Sequence, residues 1–300
     1  MSLVLARQEL SHKDGDEEMA IPEHALEGIE NLDPLPVTVQ KLISSLSGSE
    51  DVSFKELGRL IEYDPAVAAN ILRVANSALY AGRRRIEDPR DAVVRLGTAT
   101  LLDIVLGSYL KELTVSAPLY NLSEEELWLH SAVCSIAVKQ LAKEANVKIP
   151  QTTVIAALVH DVGKIIMVRY MEADVDDILD LCRQEHLTFV EAERKLFGCD
   201  HAEVGAAIGR KWAFPQPIVD AIEKHHQVPL QDPTPSLDAV ILANLVSKTI
   251  GIGLGAEGLN LRADDGSYQR LGLDFRAFCR VCANTSVQVA ELKQAYGIAA

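Results

Sequence analysis

Residues 151–170 read Gln151-Thr-Thr-Val-Ile-Ala-Ala-Leu-Val-His-Asp-Val-Gly-Lys-Ile-Ile-Met-Val-Arg-Tyr170, and this stretch decides the fold. Its apolar run has the length of a helix and predicts one over 151–170, buried on most sides. At its centre stand His160 and Asp161, with Lys164 one turn further on. Burying an aspartate costs several kcal/mol unless a positive group pairs with it. Lys164 is one candidate partner and a metal ion is the other.

Helices continue on both sides of this stretch. Ser123 with Glu126 forms a capping box that opens a helix over 124–145, with Leu127, His130, Cys134, Ala137 and Leu141 on one face. Downstream come an acidic amphipathic helix over 172–186 and a further one over 188–197. Asp200 with Glu203 makes another capping box, followed by a helix that must end before Pro215. Pro217 starts a short helix to about His226, an apolar helix over 236–250 is closed by Gly251, and a last helix covers 274–296. Toward the N-terminus, helices are predicted at 37–46, after Ser53, after Asp64-Pro65, at 89–96 and at 98–113, the last two separated by Gly97. The first 115 residues show no convincing strand alternation. The expected fold class is therefore all-α, a two-part helical bundle.

Composition narrows the function. The 300 residues are 48% hydrophobic and 24% charged, enough to fill a core, and only 5% aromatic, so that core is aliphatic. With 29 basic against 43 acidic residues the formal net charge is −14, which disfavours general nucleic-acid or anionic-membrane binding. The N-terminal apolar run is too short for a signal peptide, and no apolar run approaches the ~20 residues of a membrane span. The five cysteines lack a framework spacing and are expected to be reduced in a cytoplasmic protein.

Histidines carry the chemistry. His130 lies on an apolar helix face, His160 abuts Asp161, His201 opens a helix, and His225-His226 form a doublet at a helix end. Each alone has a plain reading: a packed core side chain, or a doublet that complements the helix dipole. Imidazoles and a carboxylate supplied by several packed helices are also what a bundle-core metal site requires. That donor set suits Fe, Mn, Ni or Zn and fits Ca or Mg poorly.

The order of these residues, together with Asp33-Pro-Leu-Pro36, Ile61-Glu-Tyr-Asp-Pro-Ala66, Leu72-Arg-Val-Ala-Asn-Ser-Ala-Leu-Tyr80, Ala92-Val-Val-Arg-Leu-Gly97, Ala202-Glu-Val-Gly205 and Trp212-Ala-Phe-Pro215, resembles the HDOD branch of the HD superfamily of metal-dependent phosphohydrolases. The resemblance covers about residues 25–250. It implies an N-terminal arm over 1–24, an N-terminal helical subdomain over 25–115, an HD-like helical core over 120–255, and a C-terminal loop and closing helix over 256–300. In the binuclear relatives the carboxylate of the His-Asp pair bridges two metals, and here that residue is Asp161. The resemblance gives His130 and His160 to one metal and His201, His225 and His226 to the other. It places Asn244 where the first set has a later aspartate, and Lys164 where a lysine holds substrate phosphate.

Two departures weigh on activity. Asn244 is neutral, so two divalent ions would face one assured carboxylate unless Glu126, four residues before His130, supplies a second. One divalent transition metal, held by Asp161, His201, His225 and His226, is therefore expected in preference to two. The His-His doublet is followed by Gln227-Val-Pro-Leu230, without the substrate-reading loop of the cyclic di-GMP phosphodiesterases. Because HDOD proteins are generally output or scaffold modules, the resemblance implies a bacterial signalling output module acting through protein contact. A metal-dependent phosphohydrolase, with Asp161 and Lys164 in its active site, is the alternative. Partners are expected to be signalling proteins, with a small phosphorylated ligand as the other candidate, and no nucleic acid or membrane. No sensor, receiver or cyclase segment is recognisable, so input is expected from another molecule.

Three remaining motifs have plain readings. Arg83-Arg84-Arg85 reads first as a solvated loop and second as an anion grip. Cys279-x-x-Cys282, at helical spacing, reads as buried packing. Gly251-Ile-Gly-Leu-Gly255 follows a helix and not a strand, so a dinucleotide reading fails.

Overall fold

The computed structural model describes residues 21–47, 53–62, 65–80, 85–171, 174–227, 229–256, 258 and 265–298. Among them the regular structure is helical, apart from a single bridge between Ala117 and Leu122. The expected all-α architecture is what the chain adopts.

The first half is organised by one long helix, α5 (Pro89–Leu113), packed against α2 (Val37–Ser47), α3 (Phe54–Glu62) and α4 (Pro65–Ala75). Asp88 caps its start by accepting from Arg90 N at 2.8 Å, with Pro89 at the first position. Gly97, at φ 73° and ψ 164°, breaks α5 where the sequence separates 89–96 from 98–113. By length and composition α5 passes for a membrane span, yet half of its most apolar window is buried inside the protein. Asn76 is a backbone staple. Its amide donates to Leu72 O and Ile86 O and accepts from Ile86 N, all at 2.8 Å. It thereby closes the loop that carries the three arginines, of which Arg85 is exposed while Arg83 and Arg84 fall outside the described residues.

Helix α1 (Glu23–Glu30) precedes the first-half helices in the chain. It packs on the second half, against α8 (Gly163–Tyr170) and α11 (His201–Lys211). Lys211 Nζ donates to Ile29 O at 2.8 Å and Trp212 Nε1 to Asp33 O at 3.3 Å, so the chain is tied down from Glu23 onward. Of the arm expected over 1–24, residues 1–20 lie outside the described residues.

In the second half α6 (Glu124–Glu144) is the central post. It packs against α7 (Thr153–Val159), α13 (Pro235–Thr249) and α15 (Phe275–Tyr296). Capping boxes form at Ser123/Glu126 and Asp200/Glu203, and two more stand at Asp174/Asp177, opening α9 (Val175–Glu185), and Thr188/Glu191, opening α10 (Phe189–Phe197). Helix α11 packs on α8 and on α12 (Gln216–Lys224), and α14 (Asp265–Leu271) lies on α13. The expectation for Cys279-x-x-Cys282 fails in part: Cys282 packs against the core, but Cys279 is exposed on the outer face of α15.

Candidate metal centre

The expected helix over 151–170 is broken at its functional point. Helix α7 ends at Val159, α8 begins at Gly163, and His160-Asp161-Val162 form the tight turn between them. Hydrogen bonds from Val162 N to Val159 O and from Lys164 N to Asp161 O, each 3.0 Å, show the i→i+3 tightening. The cause lies at Gly163, which sits directly on α11. A Cβ there would stand 1.9 Å from His201 O and 2.6 Å from Gly205 N. Only a residue without a side chain lets the turn approach the helix that presents His201.

Five elements converge on Asp161. Its Oδ2 lies 3.4 Å from Nε2 of both His130 (α6) and His160, and 2.7 Å from Lys164 Nζ. Its Oδ1 lies 3.5 Å from Nε2 of both His201 (α11) and His225 at the end of α12. His226 Nε2 is 2.9 Å from His201 Nε2. Asp161, His201, His225 and His226 thus form one group of donor atoms, and His130, Cys134 and His160 form a second beside it. His226 is partly exposed and the other members are buried.

Each core imidazole is anchored through Nδ1. His160 Nδ1 donates to Ala157 O at 2.8 Å and His225 Nδ1 to Ile222 O at 2.6 Å. His201 Nδ1 donates to Glu193 Oε2 at 2.7 Å, and His130 Nδ1 to Ser247 Oγ at 3.1 Å. With Nδ1 holding the proton of a neutral ring, the Nε2 lone pair faces the centre, as metal-ligating histidines are arranged. His160 Nε2, His225 Nε2 and Asp161 Oδ1 are buried with no hydrogen-bond partner, a costly state for polar atoms unless something else satisfies them. An ion with bonds of about 2.1 Å sets neighbouring ligand atoms about 3.0 Å apart at 90° and about 3.4 Å apart at the tetrahedral angle. The spacings of 2.9 Å and 3.5 Å around His201 match those edges. The donor set therefore fits a divalent transition ion.

The electrostatics agree. Burial pushes the His160 imidazole well below its ordinary 6.5, so it stays neutral and able to donate a lone pair. Burial alone would raise the Asp161 carboxyl, but the imidazole and ammonium groups packed around it more than offset that and hold it well below 3.8. With His160 neutral, the Lys164 ammonium at 2.7 Å is the charge that keeps Asp161 ionised.

Not every sequence candidate joins the cluster. Glu126 is exposed, and its Oε2 accepts from Ser123 N at 2.8 Å and Ser123 Oγ at 2.7 Å. It serves the helix cap and supplies no second carboxylate, because the third helical position turns its side chain back to the N-cap. Asn244 is buried on α13, one turn before Ser247, and its Oδ1 has no hydrogen-bond partner. Sequence reasoning missed Glu193 and Tyr120. Tyr120 donates to Glu193 Oε1 at 2.6 Å, which steadies the carboxylate that orients His201. The clue was Glu193 itself, a charged residue on the apolar face of α10 beside Phe189, Val190 and Ala192. The glycine loop after α13 also has a role. Gly253, at φ 68°, leaves room for the His130 ring, whose Nδ1 a Cβ would meet at 2.5 Å.

An all-α bundle closed around buried imidazoles and one carboxylate defines the class of protein. The HDOD domain model matches residues 32–228, and the chain belongs to that family, within the HD superfamily. A solved HDOD domain protein of unknown function from Geobacter sulfurreducens is 26% identical with a TM-score of 0.69, the match covering 91% of this chain and 95% of that one. A structure from Shewanella amazonensis SB2B, named only provisionally as a phosphohydrolase, is 22% identical with a TM-score of 0.67 and shares the fold over 91% of this chain and 98% of its own. An uncharacterized protein of Treponema pallidum (strain Nichols) is 23% identical over 223 residues; the match covers 72% of this chain but 42% of that relative's length.

Proposed function

We propose that this protein is a bacterial signal-transduction output module that works through protein contact, with one divalent transition ion, Fe, Mn, Ni or Zn, held by Asp161, His201, His225 and His226. The carrying observation is the closure of the site. Asp161, His160, His201 and His225 are at most 3% exposed, and of the four proposed ligands His226 alone is partly open to solvent. A bound ion there would neutralise Asp161, satisfy the inward Nε2 atoms of His201 and His225, and tie the turn before α8 to α11 and to the end of α12. Its binding energy then becomes folding energy of the module. Lys164 is engaged with Asp161 and covered by the Tyr120 ring, 5.1 Å from its centroid. It is buried away from any incoming phosphate. The reduced cysteines fit a cytoplasmic setting, and the acidic surface fits partners other than nucleic acid.

One observation favours the phosphohydrolase reading: two donor groups meet at Asp161, as in the binuclear enzymes the sequence resembles. The two readings separate in a hydrolysis assay of the metal-loaded protein on bis-p-nitrophenyl phosphate, run beside Asn244→Asp. The module reading expects no turnover above buffer from either protein. Turnover that rises in Asn244→Asp and vanishes in Asp161→Asn would replace it with an enzyme.

A further inference from the structure

Where α4 and α5 meet the end of α15 and the start of α6, they enclose a cleft of about 540 Å³. Small-molecule sites measure roughly 300–1,000 Å³. The cleft shares no residue with the two donor groups around Asp161. Its apolar wall comes from Pro36, Val67 of α4 and Val105 of α5, and Tyr109 and Tyr296 add aromatic rings. Two cations, Arg73 of α4 and Lys111 of α5, line it as well. Among the described residues neither has an ion-pair partner, in a chain with 43 acidic against 29 basic residues. Each is held on aromatic faces instead. The Arg73 guanidinium carbon lies 4.6 Å from the Tyr296 centroid, and Lys111 Nζ lies 5.5 Å from the same ring and 5.0 Å from that of Trp128. Arg73 also donates to Asn70 Oδ1 and to Ala295 O, which fixes the guanidinium and leaves the rest of its fork free. The platform beneath is itself anchored: Tyr296 packs on Trp128 with centroids 4.7 Å apart, and Trp128 Nε1 donates to Gly107 O at 2.8 Å.

We propose that this cleft binds a small aromatic acid, its carboxylate or phosphate head held by Arg73 and Lys111 and its ring laid against Val67, Val105 and Tyr109. The Arg73 fork offers parallel N–H donors to a pair of acidic oxygens, and Lys111 adds a point charge. Cations already ordered on rings lose little freedom when they take up an anion, so the site is organised before the ligand arrives. The apolar wall gains only from a ligand with a body to cover it, which separates an aromatic acid from a bare inorganic anion. Glu112 and Glu124, both exposed, also line the cleft. Their charges oppose a polyanion and favour a ligand with a single acidic head. The bound acid would tie α4 and α5 to the end of α15, away from the metal centre and independent of it.

The test is isothermal titration of the full chain with phenylphosphonate and phenylacetate, beside inorganic phosphate, acetate and benzyl alcohol. At least one of the two aromatic acids is expected to bind saturably at a single equivalent, and the stronger of them tells a phosphate ligand from a carboxylate one. The heads alone and the ring alone should bind more weakly by about tenfold or more. The double variant Arg73→Gln/Lys111→Gln should lose about tenfold or more in affinity, as expected when charge-assisted hydrogen bonds are removed. Chelator stripping and His226→Ala should leave binding unchanged. Binding that survives the double substitution, or that disappears with the metal, overturns the site, and so does the lack of saturable binding by either acid. Should the double variant fail to fold, Lys111 supplies the readout in the wild type. Bound acid should slow its acetylation by acetic anhydride, followed by mass spectrometry, and an unprotected Lys111 overturns the site.

Discussion

Glu193 holds His201 at two points, accepting from its ring Nδ1 at 2.7 Å and from its backbone N at 3.2 Å. The carboxylate comes from α10 and the imidazole opens α11, so the turn between two helices is fastened by the same group that aims Nε2 at Asp161. Neutralising it should weaken the proposed site without removing a ligand. Glu193→Gln is expected to lower metal affinity about 10- to 100-fold, the usual effect of losing such an orienting partner. Tyr120→Phe should cost less. Competition against a chromogenic chelator measures both.

Lys164→Met leaves the Asp161 charge buried without its ammonium partner. Breaking a buried pair in this way costs about 3–5 kcal/mol. Urea unfolding of the metal-stripped variant should show that loss, and adding a divalent ion should recover part of it by neutralising the carboxylate. Equal stability of wild type and variant would mean that Asp161 is not ionised in the fold.

Stability of the metal-stripped protein should depend on pH in a defined window. His160 titrates well below 6.5 in the fold, whereas the unfolded chain takes up its proton near that value. The unfolded state therefore binds more protons below about pH 6.5. Stability should fall there by about 1.4 kcal/mol per pH unit for this one group. Asp161, held below 3.8 in the fold, adds stability above that value, which disappears only as pH drops through its lowered folded pKa. Urea midpoints between pH 7.5 and 5.5 should decline in the wild type and be flatter in His160→Gln. A flat wild-type profile would contradict the buried neutral imidazole.

Gly163→Ala places a methyl group 1.9 Å from His201 O, a clash with backbone that no rotamer relieves. The helices α8 and α11 must separate, at a cost of about 3 kcal/mol or more. Thermal denaturation and metal content should fall together in this variant. A stable variant with normal metal content would show that the turn has another way to approach α11.

Local grammar made the fold legible. Capping boxes at Ser123/Glu126 and Asp200/Glu203 and the glycine at 97 act through neighbours three or four residues away, so the sequence reveals them directly. The break at His160–Val162 did not show, because it is imposed by His201 and Gly205 across the bundle while the apolar pattern runs on unbroken. The site was legible as a set of residue types in order. Its orientation was not: Glu193, Tyr120 and Ser247 act on rings contributed by other helices. Spacing also misled at Glu126, which shares a face with His130 but lies in the first turn, where its own N-cap claims it.

The most direct test of the central claim is the metal content of the protein prepared without a metal-affinity column, measured beside the His225→Ala/His226→Ala double variant. The account predicts at least one equivalent of a transition metal in the wild type and the loss of one equivalent in the variant. A wild type free of metal, or equal content in both proteins, would contradict it and leave these histidines as packing and hydrogen-bonding residues of a purely structural core.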